Sequence, residues 1–269
     1  MTWLQALLLG IVQGLTDFLP VSSSGHLMIF KELLGVEAEG YLDFVVTVHF
    51  ATVLSTIVVF WEAIWSLLKG LFKFKYNDET DYIFKLIVSM IPVAVVGLLF
   101  KDKVESLFGD SLFTVGIFLV ITAMLLYLSD NYSLGSKNPS KLNTSHNGIS
   151  YWQAFIVGIG QSLAVAPGLS RSGTTISTGL LAAVRRDVMT QFSFLMVLVP
   201  IIGEQLLSFM NGETLSSGLG FLPLLMGFVG AFVSGVFACK VMLALVRKAK
   251  LTWFAIYCLV AALLIFIFA

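Results

Sequence analysis

Apolar runs separated by short polar clusters occupy almost the whole chain. Ten can be marked, at roughly 3–18, 23–34, 43–68, 83–100, 112–129, 151–165, 173–184, 190–210, 219–246 and 251–268. A bilayer span needs about 20 such residues. The second and seventh runs have only about a dozen, and each follows a break, at Pro20 and Pro167. The pattern therefore predicts an all-α integral membrane protein in which runs one and two, and runs six and seven, form re-entrant helix-loop-helix hairpins. Such broken backbone is tolerated in a bilayer only where it is buried in protein or lines a wet cavity. The remaining six runs, three in each half, are predicted to span.

The two hairpin segments also read alike. WLQALLLGIVQGLTDFLPVSSSGHL from Trp3 matches WQAFIVGIGQSLAVAPGLSRSGTTI from Trp152, so that Gln5, Gly10, Gln13 and Ser24-Gly25 stand 148 residues before Gln153, Gly158, Gln161 and Ser172-Gly173. Three spans in each half place the two copies in opposite orientations. The expectation is an inverted-topology repeat within a single membrane domain, 1–269: repeat one at about 1–130, a linker at 131–149, and repeat two at 150–269. Helices interrupted at corresponding points of two such halves mark the place where the halves meet around a polar ligand. The predicted site therefore contains both Ser clusters.

Composition agrees. The chain is 58% hydrophobic and 12% charged, against about 25% charged in soluble domains, which leaves no room for a separate catalytic appendage. A net charge of zero gives no reason to expect a nucleic-acid partner. Cys239 and Cys258 lie inside apolar runs and read as small core residues. The first run lacks a basic leader and a cleavage pattern, and it carries polar residues that the second half repeats, so it reads as mature structure. On the six-span topology one face receives Lys69, Lys73, Lys75, Lys85, Lys137, Lys141, Arg185, Arg186, Arg247, Lys248 and Lys250, and the other only Lys31, Lys101 and Lys103. The basic face is expected in the cytoplasm, with both termini and the mouth of the site outside. His146 falls in the polar linker and carries no expected role.

Candidate chemistry is concentrated at the hairpins. Gln13 and Asp17 stand four apart and share a helix face, and an intramembrane carboxylate is a functional candidate by default. A hydrogen bond to a neighbouring helix is the structural alternative. Asp17 suits Mg²⁺ or Ca²⁺, or a proton transfer. One carboxylate is no metal cage, so most of the coordination would come from water and phosphate oxygens. Ser22, Ser23, Ser24, Gly25 and His26 open the second helix, where hydroxyls cap free amides and the helix terminus attracts anions. Ser23 or His26 could be the nucleophile, with His26 alternatively a base, or water could attack under their guidance. Ser170, Arg171, Ser172, Gly173, Thr174 and Thr175 build a similar helix start. Arg171 adds a guanidinium, the preferred fork for phosphate, with a structural pairing to Asp17 as the alternative. His49 and Thr52 could face the site, although a hydrogen-bonded structural His is the simpler reading. Glu204 and Gln205 read as interfacial, and Glu62 with Trp61 and Trp65 as part of the interfacial belt.

QGLTDFLPVSSSGH from Gln13 to His26, together with PGLSRSGTTIS from Pro167 to Ser177, resembles the undecaprenyl-diphosphate phosphatase family, also called the bacitracin-resistance family, over essentially the whole chain. The resemblance implies hydrolysis of the terminal phosphate of a polyprenyl diphosphate at the outer face of a bacterial inner membrane. The product is the monophosphate carrier used in wall synthesis, and bacitracin competes for the lipid substrate. The family's paired acidic motif, Glu or Gln followed four later by Glu, falls on Gln13 and Asp17. Its Ser-rich run and His fall on Ser22, Ser23, Ser24 and His26, and its phosphate-binding Ser and Arg on Ser170 and Arg171. Asp17 is one methylene shorter than the family's Glu. The expected catalytic set is Asp17, Ser23, His26 and Arg171, and the expected substrate-binding set is Gln13, Ser22, Ser24, Gly25, Ser170, Ser172, Gly173 and Thr174. A divalent cation, Mg²⁺ or Ca²⁺, is the expected cofactor with Asp17 as its ligand. A lipid-phosphate flippase is the alternative function, because inverted repeats with broken helices also build transporters.

Overall fold

The computed structural model describes residues 1–37, 40–99, 111–132, 147–166, 168–210, 219–248 and 250–268. Pro167, Lys101, Lys103, Lys137, Lys141 and His146 lie outside the described residues, as do the side chains of Glu204, Gln205, Arg247 and Lys248. Among the described residues all regular structure is helical, in eleven segments. These are α1 (Trp3–Phe18), α2 (Ser23–Leu33), α3 (Tyr41–Val59), α4 (Trp61–Leu71), α5 (Asp78–Leu99), α6 (Leu112–Tyr132), α7 (Tyr151–Leu163), α8 (Arg171–Leu181), α9 (Arg186–Met210), α10 (Phe221–Lys248) and α11 (Thr252–Phe268).

Among the described residues, five stretches are long and apolar enough to cross a bilayer: Tyr41–Val59, Asp78–Gly97, Leu112–Tyr132, Arg186–Gly203 and Phe221–Leu245. The sixth expected span, Thr252–Phe268, has 17 residues, just under the usual length. A second difference lies in the 43–68 run, expected to be one element. It divides at Phe60, which caps both helices with φ −98° and ψ 17°. A single 31-residue helix (41–71) would overshoot the roughly 30 Å hydrocarbon core. Beyond the break, Trp61 and Trp65 are exposed and stacked, with the Lys69 ammonium over the Trp65 ring, a composition suited to the membrane interface. The fourth run also starts earlier than its hydropathy suggests. Asn77 accepts the Thr80 amide and so caps a polar first turn ahead of the apolar stretch.

The short helices pair off in matching fashion. Thr2 and Gln5 close a capping box on α1, and Ser150 and Gln153 close one on α7. The Gln5 carboxamide then donates to the Leu34 carbonyl at the end of α2 (2.9 Å), and the Gln153 carboxamide to the Ala182 carbonyl at the end of α8 (2.8 Å). The start of each first helix is thereby tied to the end of its partner. Each first helix also packs against the other half of the chain: α1 lies along α10, and α7 along α5. Two aligned glycines allow the close approach. A Cβ on Gly10 would overlap the Gly227 carbonyl, and one on Gly158 the Ser89 carbonyl. At the inner end of α1, Phe18 packs its ring 5.8 Å from Phe194 of α9, which also meets Phe60 at 5.8 Å. This aromatic cluster supports the turn that carries Asp17.

Candidate active site

The two helix starts meet. Ser22 caps α2 by accepting the Gly25 amide (3.3 Å), and Ser170 caps α8 by accepting the Gly173 amide (3.1 Å). In each cluster the cap hydroxyl lies 3.4 Å from that of the Ser two residues on, Ser24 or Ser172. Those second serines cross-link the pairs. Ser24 Oγ accepts the Gly168 amide of the opposite turn (3.2 Å), and Ser172 Oγ donates to the Leu19 carbonyl (3.0 Å). Each copy thus holds the backbone of the other, which fixes the spacing of the two turns without a charged contact.

α6 and α9 hold α8 from behind. Thr122 Oγ1 accepts the Ser170 amide (3.1 Å), Ser129 donates to the Ser177 hydroxyl (3.1 Å), and the Thr175 and Ser193 hydroxyls stand 2.6 Å apart. A Cβ on Gly25 would press into Val115 of α6, and one on Gly173 against Ser170. These glycines serve close packing, and their amides are spent on the caps. Ser22 has φ 69°, a conformation that costs a non-glycine residue of order 1–3 kcal/mol. Its cap bond and the His26 contact to its carbonyl secure it.

Between the turns lies a cavity of about 320 Å³, lined by Asp17, Ser22, Ser23, Ser24, Ser170, Arg171 and Ser172, with His49 and Gln161 and an apolar wall that includes Leu19, Val93, Leu169 and Pro200. It brings together seven of the twelve residues expected at the site. Asp17 Oδ1 accepts the Ser23 hydroxyl at 3.0 Å, so a carboxylate stands ready for that proton. Arg171 makes no side-chain hydrogen bond or ion pair among the described residues, and the structural pairing with Asp17 is not formed. A half-buried guanidinium without a partner is costly in a membrane, whereas an anion bound there would be matched in charge and geometry.

Five expected residues lie elsewhere. His26 is 4% exposed and is not part of the cavity wall. Its Nδ1 donates to the Ser22 carbonyl (2.7 Å), and its Nε2 accepts the Tyr257 hydroxyl (2.7 Å), with the two rings stacked. Gln13 is fully buried, and neither carboxamide atom has a hydrogen-bond partner among the described residues. Gly25, Gly173 and the buried Thr174 likewise stand behind the wall. Two wall residues gained weight only from the structure. His49, for which the sequence favours a structural role, lines the cavity, and Gln161 carries a buried carboxamide oxygen without a partner among the described residues. The repeat held the signal for Gln161, as the counterpart of Gln13. Among the described residues no three His, Cys, Asp or Glu cluster in a way that could hold a metal ion.

A profile of the family described as "Bacitracin resistance protein BacA" matches residues 6–264. The chain is 49% identical over 270 residues to the undecaprenyl-diphosphatase of Bacteroides thetaiotaomicron, with 99% of each chain covered. It is 50% identical over 261 residues to that of Bacteroides fragilis, covering 96% of this chain and 95% of the relative. With the namesake enzyme of Halothermothrix orenii it shares 38% identity over 268 residues, 98% of this chain and 97% of the other. The chain belongs to the bacitracin resistance protein BacA family.

Proposed function

We propose that this chain is a membrane hydrolase, an undecaprenyl-diphosphatase, which cleaves undecaprenyl diphosphate to undecaprenyl phosphate and inorganic phosphate. The observation that carries the reading is the cavity in which an unpaired Arg171 stands with a Ser23–Asp17 hydrogen-bonded pair. The activity named for its full-length relatives needs those parts. Arg171 and the polar helix starts neutralise the terminal phosphoryl group, where charge builds in the transition state. Ser23 Oγ attacks the terminal phosphorus, its proton passes to Asp17, and the bond to the bridging oxygen breaks with release of the lipid monophosphate. Water then hydrolyses the phosphoserine. Ser24 and Ser172 keep the two turns in register, and His26, held between Ser22 and Tyr257, is a positioning residue for the Ser22–Ser23 backbone.

A divalent cation fits this donor set only alongside the substrate: Asp17 and the unpartnered Gln161 carboxamide oxygen would hold Mg²⁺ or Ca²⁺, with phosphate oxygens and water completing its shell. Bound there, it would offset charge on the diphosphate. The matched contacts of α1–α2 and α7–α8 support reading both as re-entrant hairpins of an inverted repeat, repeat one at about 1–130 and repeat two at 150–269. The asymmetry of Lys and Arg supports an outward-facing mouth in the bacterial plasma membrane, where bacitracin would compete for the same lipid.

Phosphate release from undecaprenyl diphosphate by purified protein in detergent tests the reading. Stoichiometric lipid monophosphate and phosphate are expected. No release across Mg²⁺ and Ca²⁺ concentrations would move a folded protein to the flippase alternative, which forms no product in detergent.

A further inference from the structure

One titratable residue of the cavity wall has no task in the scheme above. His49 lies midway along α3 and lines the cavity. Its Nδ1 sits 2.9 Å from the Val45 carbonyl one turn back. A carbonyl only accepts, so Nδ1 carries the proton, and in the uncharged tautomer that leaves the lone pair at Nε2. That nitrogen has no hydrogen-bond partner among the described residues. His26 makes the same bond to its own preceding turn, at Ser22, but the Tyr257 hydroxyl occupies its Nε2. Of the two imidazoles among the described residues, only that of His49 is left with a free acceptor, and only His49 lines the cavity.

The chemistry of that acceptor selects its ligand. Unprotonated phosphate oxygens are themselves acceptors and offer that lone pair nothing, whereas water donates. The charged groups sharing the wall are Asp17, committed to Ser23, and Arg171, a donor. We propose that His49 is a further catalytic residue whose Nε2 accepts a hydrogen bond from the hydrolytic water and directs a lone pair of that water at the phosphorus held on Ser23. The inference rests on the undecaprenyl-diphosphatase reading and deepens it. In this step the water oxygen bonds to phosphorus and the bond to Ser23 Oγ breaks. The electron pair stays on Oγ, which takes back the proton from Asp17, and the protons of the water leave with the inorganic phosphate. Loose phosphoryl transfer depends mainly on such positioning.

The test is rapid-quench kinetics on the parent, His49→Leu and His49→Gln with a polyprenyl diphosphate, following lipid monophosphate and phosphate separately. His49→Leu is expected to release about one lipid monophosphate per protein quickly and then turn over at least about tenfold more slowly, with KM falling in step so that kcat/KM stays within about threefold of the parent. The Gln carboxamide oxygen can accept the same bond, so His49→Gln is expected to recover most of the rate. Should the Leu variant fail to fold, His49→Asn, whose amide is withdrawn by one methylene, gives the same contrast with Gln. Parental turnover in the Leu or Asn variant overturns the proposal. A slow variant without the early burst, or a Gln variant no better than Leu, also overturns it. Failure of the underlying reading shows elsewhere, in a Ser23→Ala variant that hydrolyses at the parental rate.

Discussion

Arg171→Lys isolates the geometry of the anion site from its charge. Arg171 is the first residue of α8, where Lys and Arg have similar helix propensity, and its side chain supports no hydrogen bond or ion pair among the described residues. The fold therefore loses little from the change. A terminal phosphate bound across the planar fork accepts two parallel charge-assisted bonds, and an ammonium restores only a point contact. Losing one such bond, worth roughly 1.5–3 kcal/mol, corresponds to a fall of about 10- to 150-fold in kcat/KM at about 1.4 kcal/mol per decade. Phosphate release from a polyprenyl diphosphate measures it, with the size-exclusion profile as the check on folding. Turnover within about twofold of the parent by a well-folded Lys variant would refute the bidentate contact and leave Arg171 a structural cation.

Further outcomes follow from the packing and the topology. Gly10→Ala places a Cβ on the Gly227 carbonyl, whereas a Cβ on Gly97 meets nothing within 4 Å. The first should cost on the order of 1–3 kcal/mol and lower the thermal midpoint in detergent, while Gly97→Ala leaves it within about a degree; equal midpoints would contradict the close α1–α10 approach. A single Cys replacing Asn143 should be labelled by an impermeant reagent from the cytoplasm and one replacing Gly109 from outside. Labelling of both from one side would sink the inverted arrangement.

Much of the helical plan was legible because apolar runs in a bilayer carry their own boundaries. α1 matches its run from Trp3 to Phe18, and the Pro-Ser-Gly clusters mark the two turns. The break at Phe60 was not, because hydropathy runs on through Trp61 and Trp65 and length alone argues for an interruption. At the site, residue type and depth single out Asp17, Ser23 and Arg171, which line the cavity together. The two histidines show why the rest was not. Both bond Nδ1 to the carbonyl four residues back, so their local chemistry is the same. What separates them is tertiary. One ring meets Tyr257, 231 residues away, and the other is turned to the cavity, a distinction no local pattern encodes. Ser24 and Ser172 were read as substrate ligands by their place in the clusters, yet each has a backbone partner across the interface, which only the assembled halves reveal.

The central claim is that the carboxylate of Asp17 activates Ser23 in the shared cavity. The measurement that tests it most directly is phosphate release from undecaprenyl diphosphate by the purified parent, Asp17→Asn and Asp17→Glu, each verified as folded. Asn keeps the size and can still accept the Ser23 hydroxyl but cannot take its proton, so hydrolysis should fall by at least about 100-fold, while Glu should retain activity. Hydrolysis by Asp17→Asn at the parental rate would contradict the account.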